Sequence, residues 1–392
     1  MNTKFSELKK NLGFGCMRLP MNGEEVDYEE FNKMIDAYME AGFNYFDTAH
    51  NYISGKSETA IRECLVKRYP RESYILVNKL TNLFFEKEEE IRPVFEQQLE
   101  ACGVEYFDFY LMHAMNRDRH AKYKECNAYE VVGELKKEGK VCHMGISFHD
   151  TAEILDEILT DCPQIEVVQL QFNYADYESA RVQSRLCYEV CVKHKKPVLV
   201  MEPVKGGKLV NLPEEALGVF EELQKETADK VVENNNLDKQ VNYSPASYAI
   251  RYAASFDNII MVLSGMSNME QMLDNLSYMK EFNPLNEKEM EAIAKVQKIL
   301  REQDNIPCTG CRYCADGCPK KIDIPALFEY FNEKKQKDLP KDTVRYEALT
   351  TGCGNGKASD CIKCGKCEKE CPQYLKIREL LEKVEAEFEE RK

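Results

Sequence analysis

The most constraining feature of this chain is a cysteine pattern that occurs twice in its last quarter. Each run has the spacing C-x2-C-x2-C-x3-C-P. The first run consists of Cys308, Cys311, Cys314 and Cys318. The second consists of Cys361, Cys364, Cys367 and Cys371. In such a run, three closely spaced thiolates bind three corners of a cubane cluster, and the fourth cysteine binds the partner cluster. The repeat therefore predicts two [4Fe-4S] clusters.

The pattern also predicts a crossed set of ligands, with three cysteines from one run and the last cysteine of the other at each cluster. One set is Cys308, Cys311, Cys314 and Cys371. The other is Cys361, Cys364, Cys367 and Cys318. A pair of tetrahedral zinc sites is the alternative, because C-x2-C pairs also suit zinc. A zinc site does not require the third cysteine, the three-residue spacing before the fourth cysteine or the closing proline, and here all three features occur in both runs.

Composition restricts the compartment and the partners. The chain has 17 cysteines, and those outside the two runs, Cys353 among them, show no pairing pattern. A reducing compartment therefore fits better than a disulfide framework. A net charge of -15 without a basic stripe disfavours nucleic acid and anionic membranes as partners. No apolar run approaches the ~18 to 20 residues that span a bilayer, and residues 1–10 lack a signal-peptide core. We expect a cytoplasmic, anaerobic protein, whose acidic surface would suit a basic redox partner and ordinary solubility equally.

Short apolar segments alternate with amphipathic ones along residues 12–266. The predicted strands are residues 12–18, 45–49, 74–80, 107–113, 143–148, 167–173, 198–203 and 259–265. The predicted helices include residues 28–41, 57–69, 87–102, 129–137 and 181–194. Eight strands, each followed by a helix, predict an α/β fold of the closed (β/α)8 TIM-barrel type.

The chain divides into two predicted domains, residues 1–303 and residues 304–392. Residues 211–243 are longer and more polar than a simple crossover, which indicates an insertion or extended loop. The second domain resembles bacterial two-cluster ferredoxins, and its helix-like stretch at residues 325–337 makes it most similar to their mainly α-helical variety. Because residues 303–307 contain no Gly/Ser linker, we expect this domain to be docked rather than tethered.

Four polar residues fall at the ends of successive predicted strands, where barrel enzymes place their catalytic groups. They are Asp47, Tyr52, Lys79 and His113. Their order, and the sequence FDTAHNY at residues 46–52 followed by Gly55, Ser57 and Glu58, resemble the aldo-keto reductases over residues 10–300. Taken singly, Asp47 and Lys79 fit a structural ion pair, and His113 fits a core histidine.

The resemblance implies hydride transfer between a nicotinamide cofactor and a small carbonyl or alcohol substrate. Tyr52 would donate the proton, and Lys79, held by Asp47, would favour the phenolate and so ease that donation. His113 would orient the carbonyl oxygen. The resemblance assigns no metal to this site.

The resemblance also assigns residues to the binding of NAD or NADP. They are Ser147 and Gln169 for the carboxamide, Met201 for the nicotinamide ring, Gly206, Gly207 and Leu209 in a glycine loop for the pyrophosphate, and Gly265, Gln271 and Asn275 for the adenosine end, with Asn275 at the adenine. The chain departs from the family in having Phe148 after the serine and Met201 where an aromatic ring is common. Gly265 and Gln271 replace the cations that usually bind the 2'-phosphate of NADP, which leaves NAD open.

Clusters pass single electrons, whereas a nicotinamide passes two as hydride, and flavin is the usual converter. No separate flavin module is visible in the sequence. The clusters are therefore structural, or fed by an external ferredoxin or other redox protein, or paired with a flavin in the barrel. We interpret the chain as an aldo-keto-reductase-like oxidoreductase with clusters for electron transfer. The alternatives are an electron-transfer protein whose barrel is a docking scaffold, and a flavin-assisted iron-sulfur reductase.

Overall fold

A computed structural model describes residues 5–233, 243–302, 305–336 and 343–389 of the chain. It forms two compact units. The first comprises Met1–Val204 and Leu223–Ile293, and the second comprises Lys205–Glu222 and Ala294–Lys392. The predicted boundary between residues 303 and 304 lies outside the described residues, so the domain limits remain a prediction.

The first unit contains a closed barrel of eight parallel strands. The strands are Leu12–Gly15, Tyr45–Asp47, Ile75–Leu80, Phe107–Met115, Val141–Phe148, Val167–Gln171, Val198–Met201 and Ile259–Ser264. Each pairs with the next along the chain, and Leu12–Gly15 closes the ring by pairing with both the second and the eighth strand. The predicted TIM barrel is confirmed.

Helices follow the strands of this unit. They are Tyr28–Glu40, Lys56–Ile61, Glu88–Cys102, Arg117–Glu125, Ala128–Lys137, Ala152–Asp161, Ser184–Lys193, Pro245–Ala254 and Met269–Met279. Capping residues help to explain where these helices begin. In Tyr28–Glu40, for example, the side chain of the N-cap residue Asp27 accepts a hydrogen bond from the backbone of Glu30. Phe31, Ile35 and Tyr38 of this helix recur at helical spacing and are buried.

Three local features differ from the sequence predictions. A short antiparallel hairpin, Met21–Asn22 with Glu25–Val26, was not predicted. The helix predicted at 57–69 continues past Ile61 as a wider π-type turn, Arg62–Val66. Much of the predicted loop at 211–243 is the helix Glu214–Glu233, and residues 234–242 lie outside the description. Its length and polarity favour a loop, although Ala216, Phe220 and Leu223 recur at helical spacing.

The second unit is mainly helical. Its helices are Tyr313–Asp316, Ile324–Gln336, Thr343–Leu349, Lys366–Glu370 and Ile377–Phe388, after the long helix Glu287–Glu302 enters it. Leu327, Phe328 and Val384 are buried in one apolar core. Cysteines of both runs pack against that core, which confirms the predicted small α-helical domain.

Within the described ranges, no helix is both long enough and apolar enough to cross a membrane.

Candidate functional site

The barrel brings the predicted catalytic side chains to one end because side chains two residues apart on a strand share a face. Tyr45, Val77, Leu111 and Val167 belong to the apolar cluster inside the barrel. Two residues further along the same chain segments are Asp47, Lys79, His113 and Gln169, and all four are buried. The strand period thus places polar groups directly above the apolar interior, at the carboxyl ends of the strands.

Lys79 and Asp47 form a buried ion pair. Lys79 Nζ donates to Asp47 Oδ1 at 2.6 Å and to the carbonyl of Thr48 at 2.8 Å. Gln169 Nε2 donates to the other carboxylate oxygen, Oδ2, at 3.0 Å. A buried ion pair is weak evidence for a stabilising role, because an apolar replacement is often as stable. Its position at the strand ends therefore favours a chemical role.

Tyr52 lies beside this pair. Lys79 Nζ is 4.8 Å from the centre of the Tyr52 ring. The rings of Tyr52 and His113 meet edge to face, with centroids 5.9 Å apart. The structure therefore brings all four predicted catalytic residues together.

The backbone after Tyr52 is strained. Ile53 and Ser54 have φ values of 51° and 53°, which β-branched and other L-residues rarely adopt. Gly55 continues the left-handed turn at φ 85°, where glycine is at no disadvantage. Strain of this kind persists where the surrounding fold imposes it, commonly at functional sites. Here it returns the chain sharply and leaves the Tyr52 ring against Lys79.

Burial has the largest effect on the pKa values of Tyr52, Lys79 and His113 in this site. Burial, and then the charge of Asp47, raises the pKa of Tyr52 well above its usual value of 10.0. Burial and the nearby positive charge of Lys79 hold the pKa of His113 well below 6.5. Burial lowers the pKa of Lys79, and Asp47 opposes that shift. Tyr52 therefore keeps its proton, and His113 is neutral. We expected Lys79 to favour the phenolate of Tyr52, but burial has the larger effect on the Tyr52 pKa.

Thr81 contacts His113, the candidate catalytic histidine, and the sequence did not predict this contact. The hydroxyl of Thr81 lies 2.7 Å from His113 Nδ1, and both residues are buried. A threonine hydroxyl that donates to Nδ1 fixes the proton of a neutral imidazole on Nε2. The only available signal in the sequence is that Thr81 follows Lys79 by two positions and so shares its face of the barrel.

Replacing Thr81 with valine should therefore lower the catalytic efficiency of carbonyl reduction by about three- to tenfold, the value of one hydrogen bond. Thr81→Ser keeps the hydroxyl and should retain most of the activity. The ¹⁵N shifts of His113 in selectively labelled protein, assigned with His113→Gln, should show loss of the single Nε2–H tautomer only in Thr81→Val. An unchanged tautomer in Thr81→Val would refute this role.

A second network supports Lys79 from outside the barrel. His50 Nδ1 lies 2.6 Å from Glu58 Oε2, and Asn78 Nδ2 donates to Glu58 Oε1 at 2.7 Å. The Asn78 side chain in turn accepts from the backbone of Lys79 at 2.8 Å. Hydrogen bonding to Glu58 raises the pKa of His50. These contacts connect His50 and Glu58, which lie near Tyr52 in the sequence, to the backbone of Lys79.

The residues assigned to the carboxamide end of a nicotinamide retain suitable groups. Ser147 Oγ accepts from the backbone of Ala114 at 2.7 Å, which leaves its hydroxyl proton for donation. Gln169 uses one N–H on Asp47 and keeps its side-chain carbonyl as an acceptor. A donor and an acceptor side by side match a carboxamide. Met201 ends the seventh barrel strand and is partly exposed.

The residues assigned to the adenosine end are used within the protein. Gln271 Oε1 accepts from the backbone of Ser267 at 2.8 Å, at the start of the helix Met269–Met279. Asn275 donates to Ser264 Oγ at 2.8 Å and accepts from the hydroxyl of Tyr278. Gln271 keeps both of its side-chain N–H groups and Asn275 keeps one, so each amide can still donate to a ligand. Gly265 is exposed.

The glycine loop expected to hold a pyrophosphate belongs to the second unit. A Cβ on Gly206 would lie 2.2 Å from the carbonyl oxygen of Thr309, so only glycine fits there. Lys208 Nζ donates to the carbonyl of Ile306 at 2.7 Å. Leu209 is buried, whereas a Cβ on Gly207 would meet nothing within 4 Å. The loop therefore packs beside the first cysteine run.

The eight cysteines of the two runs line two cavities. One cavity is lined by Cys308, Cys311, Cys314 and Cys371, with apolar neighbours. The other is lined by Cys318, Cys361, Cys364 and Cys367. Each cavity thus receives three cysteines from one run and the last of the other. Four thiolates around one cavity are the donor set of a [4Fe-4S] cluster. Across the described ranges, no three histidine, cysteine or acidic side chains have the spacing of a single-ion site.

A close backbone contact helps Cys318 reach the second run. Gly356 donates to the carbonyl of Lys321 at 3.1 Å, and a Cβ on Gly356 would lie 2.4 Å from the carbonyl oxygen of Lys320. The segment before Cys361 therefore lies directly against the segment after Cys318. Cys353 lines neither cavity, and its thiol donates to the carbonyl of Ala348 at 2.9 Å.

Known proteins match the barrel and the cysteine-rich segment of the chain separately. Residues 307–376 match the 4Fe-4S dicluster domain. The chain is 24% identical to an uncharacterized oxidoreductase of Bacillus subtilis, over 72% of this chain and 90% of that protein. It is 24% identical to the NADH-specific methylglyoxal reductase of Escherichia coli, over 62% of this chain and 81% of that protein. A 34% match to the 4-dihydromethyl-trisporate dehydrogenase of Mucor mucedo covers 26% of this chain and only 30% of that protein.

Solved structures share the barrel. An aldo-keto reductase from Bacillus halodurans, in its holo form, superposes with a TM-score of 0.57 at 24% identity, over 74% of this chain and 92% of that one. An aldo-keto reductase from Klebsiella pneumoniae in complex with NADPH gives 0.55 at 18% identity, over 76% and 97% of the two chains. Residues 11–298 match the family model described as the aldo/keto reductase family. Because that match spans well over half of the sequence, the chain belongs to the aldo/keto reductase family, and its barrel is followed by an iron-sulfur domain.

Proposed function

We propose that this oxidoreductase reduces a small aldehyde or ketone with a nicotinamide cofactor, and that two [4Fe-4S] clusters connect it to an external one-electron carrier. The observation that carries the first part is the buried Lys79–Asp47 pair beside Tyr52, with the neutral imidazole of His113 facing the same ring. The two four-cysteine cavities support the second part.

Proton delivery falls to Tyr52. A nicotinamide, its carboxamide held by Ser147 and Gln169, would supply the hydride to the carbonyl carbon. The Tyr52 hydroxyl donates its proton to the carbonyl oxygen. The high pKa of Tyr52 keeps that proton available at neutral pH. When it leaves, the ammonium of Lys79 offsets the charge of the phenolate, and Asp47 keeps Lys79 in place. Solvent then reprotonates Tyr52.

His113 orients the substrate. Its neutral ring cannot donate a proton outright, but an Nε2–H group can donate a hydrogen bond to the carbonyl oxygen. The bond between Thr81 and Nδ1 aims that group. Two donors, Tyr52 and His113, then converge on one carbonyl oxygen and hold it in position for proton transfer.

We propose NAD as the preferred nucleotide and a small, reactive carbonyl compound as the substrate. Support comes from the neutral Gln271 and from similarity to a reductase that is NADH-specific and acts on methylglyoxal. Turnover of NADH with methylglyoxal and other small aldehydes and ketones, measured on protein purified without oxygen, tests this proposal. Identification of released cofactors belongs in the same experiment. Bound flavin with no nicotinamide-linked turnover would favour the flavin-assisted alternative, and no organic cofactor at all would favour the docking scaffold.

Gln271→Arg should shift the preference toward NADP by about 1.5 to 3 kcal/mol, the value of a hydrogen bond to a charged group. The guanidinium can bind a 2'-phosphate, whereas the native amide caps a helix. The ratio of dissociation constants for NAD and NADP measures the shift, and Gln271→Glu, which adds a negative charge, is the control. Native protein that binds NADP a hundredfold more tightly than NAD would show that another cation already binds the phosphate.

A further inference from the structure

The two cysteine cavities differ in exposure. Cys314 and Cys371, which line the cavity next to the first run, are 7% and 8% exposed. In the cavity next to the second run, Cys364 is exposed, and its neighbour Ile362 is 56% exposed. A cluster bound by Cys364 would therefore lie closer to solvent than one bound by Cys314.

The more exposed cavity is also bordered by cationic side chains. Three cationic side chains and no carboxylate line it, namely Lys320, Lys366 and Arg378. Arg378 is paired with Glu368 at 2.6 Å. Lys320 and Lys366 are exposed, and the described part of the chain offers neither an ion-pair partner. The other cavity is lined by one cation, Arg312, which is paired with Asp323 at 3.0 Å.

These side chains have the sign opposite to the net charge of the whole molecule, which is -15. The net charge alone would suit a basic redox partner and ordinary solubility equally. A partner senses the local field over about 10 Å at ordinary ionic strength, so the charges around the docking point outweigh the distant ones. Ile362 is exposed and lines the same cavity as Lys320 and Lys366. Its side chain offers apolar contact area to a partner, and the lysine charges can steer an acidic partner toward the cavity.

We propose that the surface formed by Lys320, Ile362 and Lys366, the second-cluster face, docks a small acidic one-electron carrier protein of the ferredoxin class. One electron passes between the reduced cluster of the carrier and the cluster bound by Cys318, Cys361, Cys364 and Cys367. The carrier is oxidised by one electron and this cluster is reduced by one, and no bond or proton is transferred. The proposal rests on the cluster part of the proposed function and not on its carbonyl chemistry.

The test measures binding of an acidic ferredoxin to the full-length, cluster-loaded protein, without nucleotide or carbonyl compound. The double variant Lys320→Gln/Lys366→Gln should bind about tenfold or more weakly at an ionic strength of about 0.1 M, and its affinity should depend less on salt. Lys295→Gln/Lys298→Gln is the matched control, because both of these lysines are exposed on the helix Glu287–Glu302 and the charge change is the same. This control should bind like the native protein.

Iron content and the reduction potentials of both double variants show whether the clusters are intact. Equal binding by the native protein and the Lys320/Lys366 variant would overturn the proposal. So would tighter binding of a basic cytochrome than of the acidic ferredoxin. A changed cluster potential with unchanged binding would show that the lysines serve only the cluster, and would overturn it too. Since none of these measurements uses carbonyl reduction, a failure here is distinct from a failure of the proposed reductase activity.

Discussion

Tyr52→Phe should lower the rate of carbonyl reduction by about 10²-fold or more, the usual contribution of a positioned general acid. The substitution removes the hydroxyl that delivers the proton and keeps the ring that packs against Lys79 and His113. Steady-state rates with NADH and a reactive aldehyde measure the loss. Nucleotide affinity should remain close to native, because the hydroxyl takes no part in the contacts of Ser147 or Gln169.

Two further measurements identify the role of Tyr52. His113→Ala should act mainly on the Michaelis constant, because His113 orients the substrate and does not supply the proton. The reverse oxidation, which needs the phenolate, should accelerate with rising pH, since burial holds the pKa of Tyr52 above 10.0. Native turnover by Tyr52→Phe would assign the chemistry to another group or cofactor.

Cys318→Ser should remove the cluster next to the second run, although Cys318 lies in the first run. The native protein, purified without oxygen, should contain about eight iron and eight sulfide per chain, and the variant about four of each. The variant should lose this cluster because only three thiolates remain to bind it. Iron and sulfide analysis, with electron paramagnetic resonance of the reduced protein, measures the change.

Cys353→Ser is the matched control for this experiment. Its thiol contacts the carbonyl of Ala348 and lines neither cavity, so the iron content should stay at the native value. If Cys318→Ser instead lost the cluster associated with Cys308, Cys311 and Cys314, the crossed ligand sets would be wrong. Zinc in native protein without brown absorption would contradict the clusters altogether.

The barrel could be predicted because its signals are local. Alternation along a strand and along a helix depends on neighbouring residues, and eight repeats of it leave few other folds. The same strand pattern predicts Asp47, Lys79 and His113 at one end of the barrel. It did not predict the helix Glu214–Glu233, because the length and polarity of that segment favour a loop.

The candidate nucleotide residues show where prediction from sequence ended. Gln169 was assigned to a carboxamide, and the fold places its amide N–H on Asp47. Asn275 was assigned to an adenine, and the fold places it between Ser264 and Tyr278. Whether an amide is available to a ligand depends on its neighbours across the fold, and sequence spacing carries no such information.

The sequence by itself determined the barrel, the strand-end positions of the candidate catalytic residues and the spacing of the two cysteine runs. Spacing along the chain controls these features, since strand period and ligand spacing act over a few residues. The tertiary structure decided the bond between Thr81 and His113, and the positive charge that Lys320 and Lys366 give to the second-cluster face. Both depend on residues that are distant in the sequence and meet only after folding. The net charge is a sum over the whole chain and does not show where individual charged side chains lie in the fold.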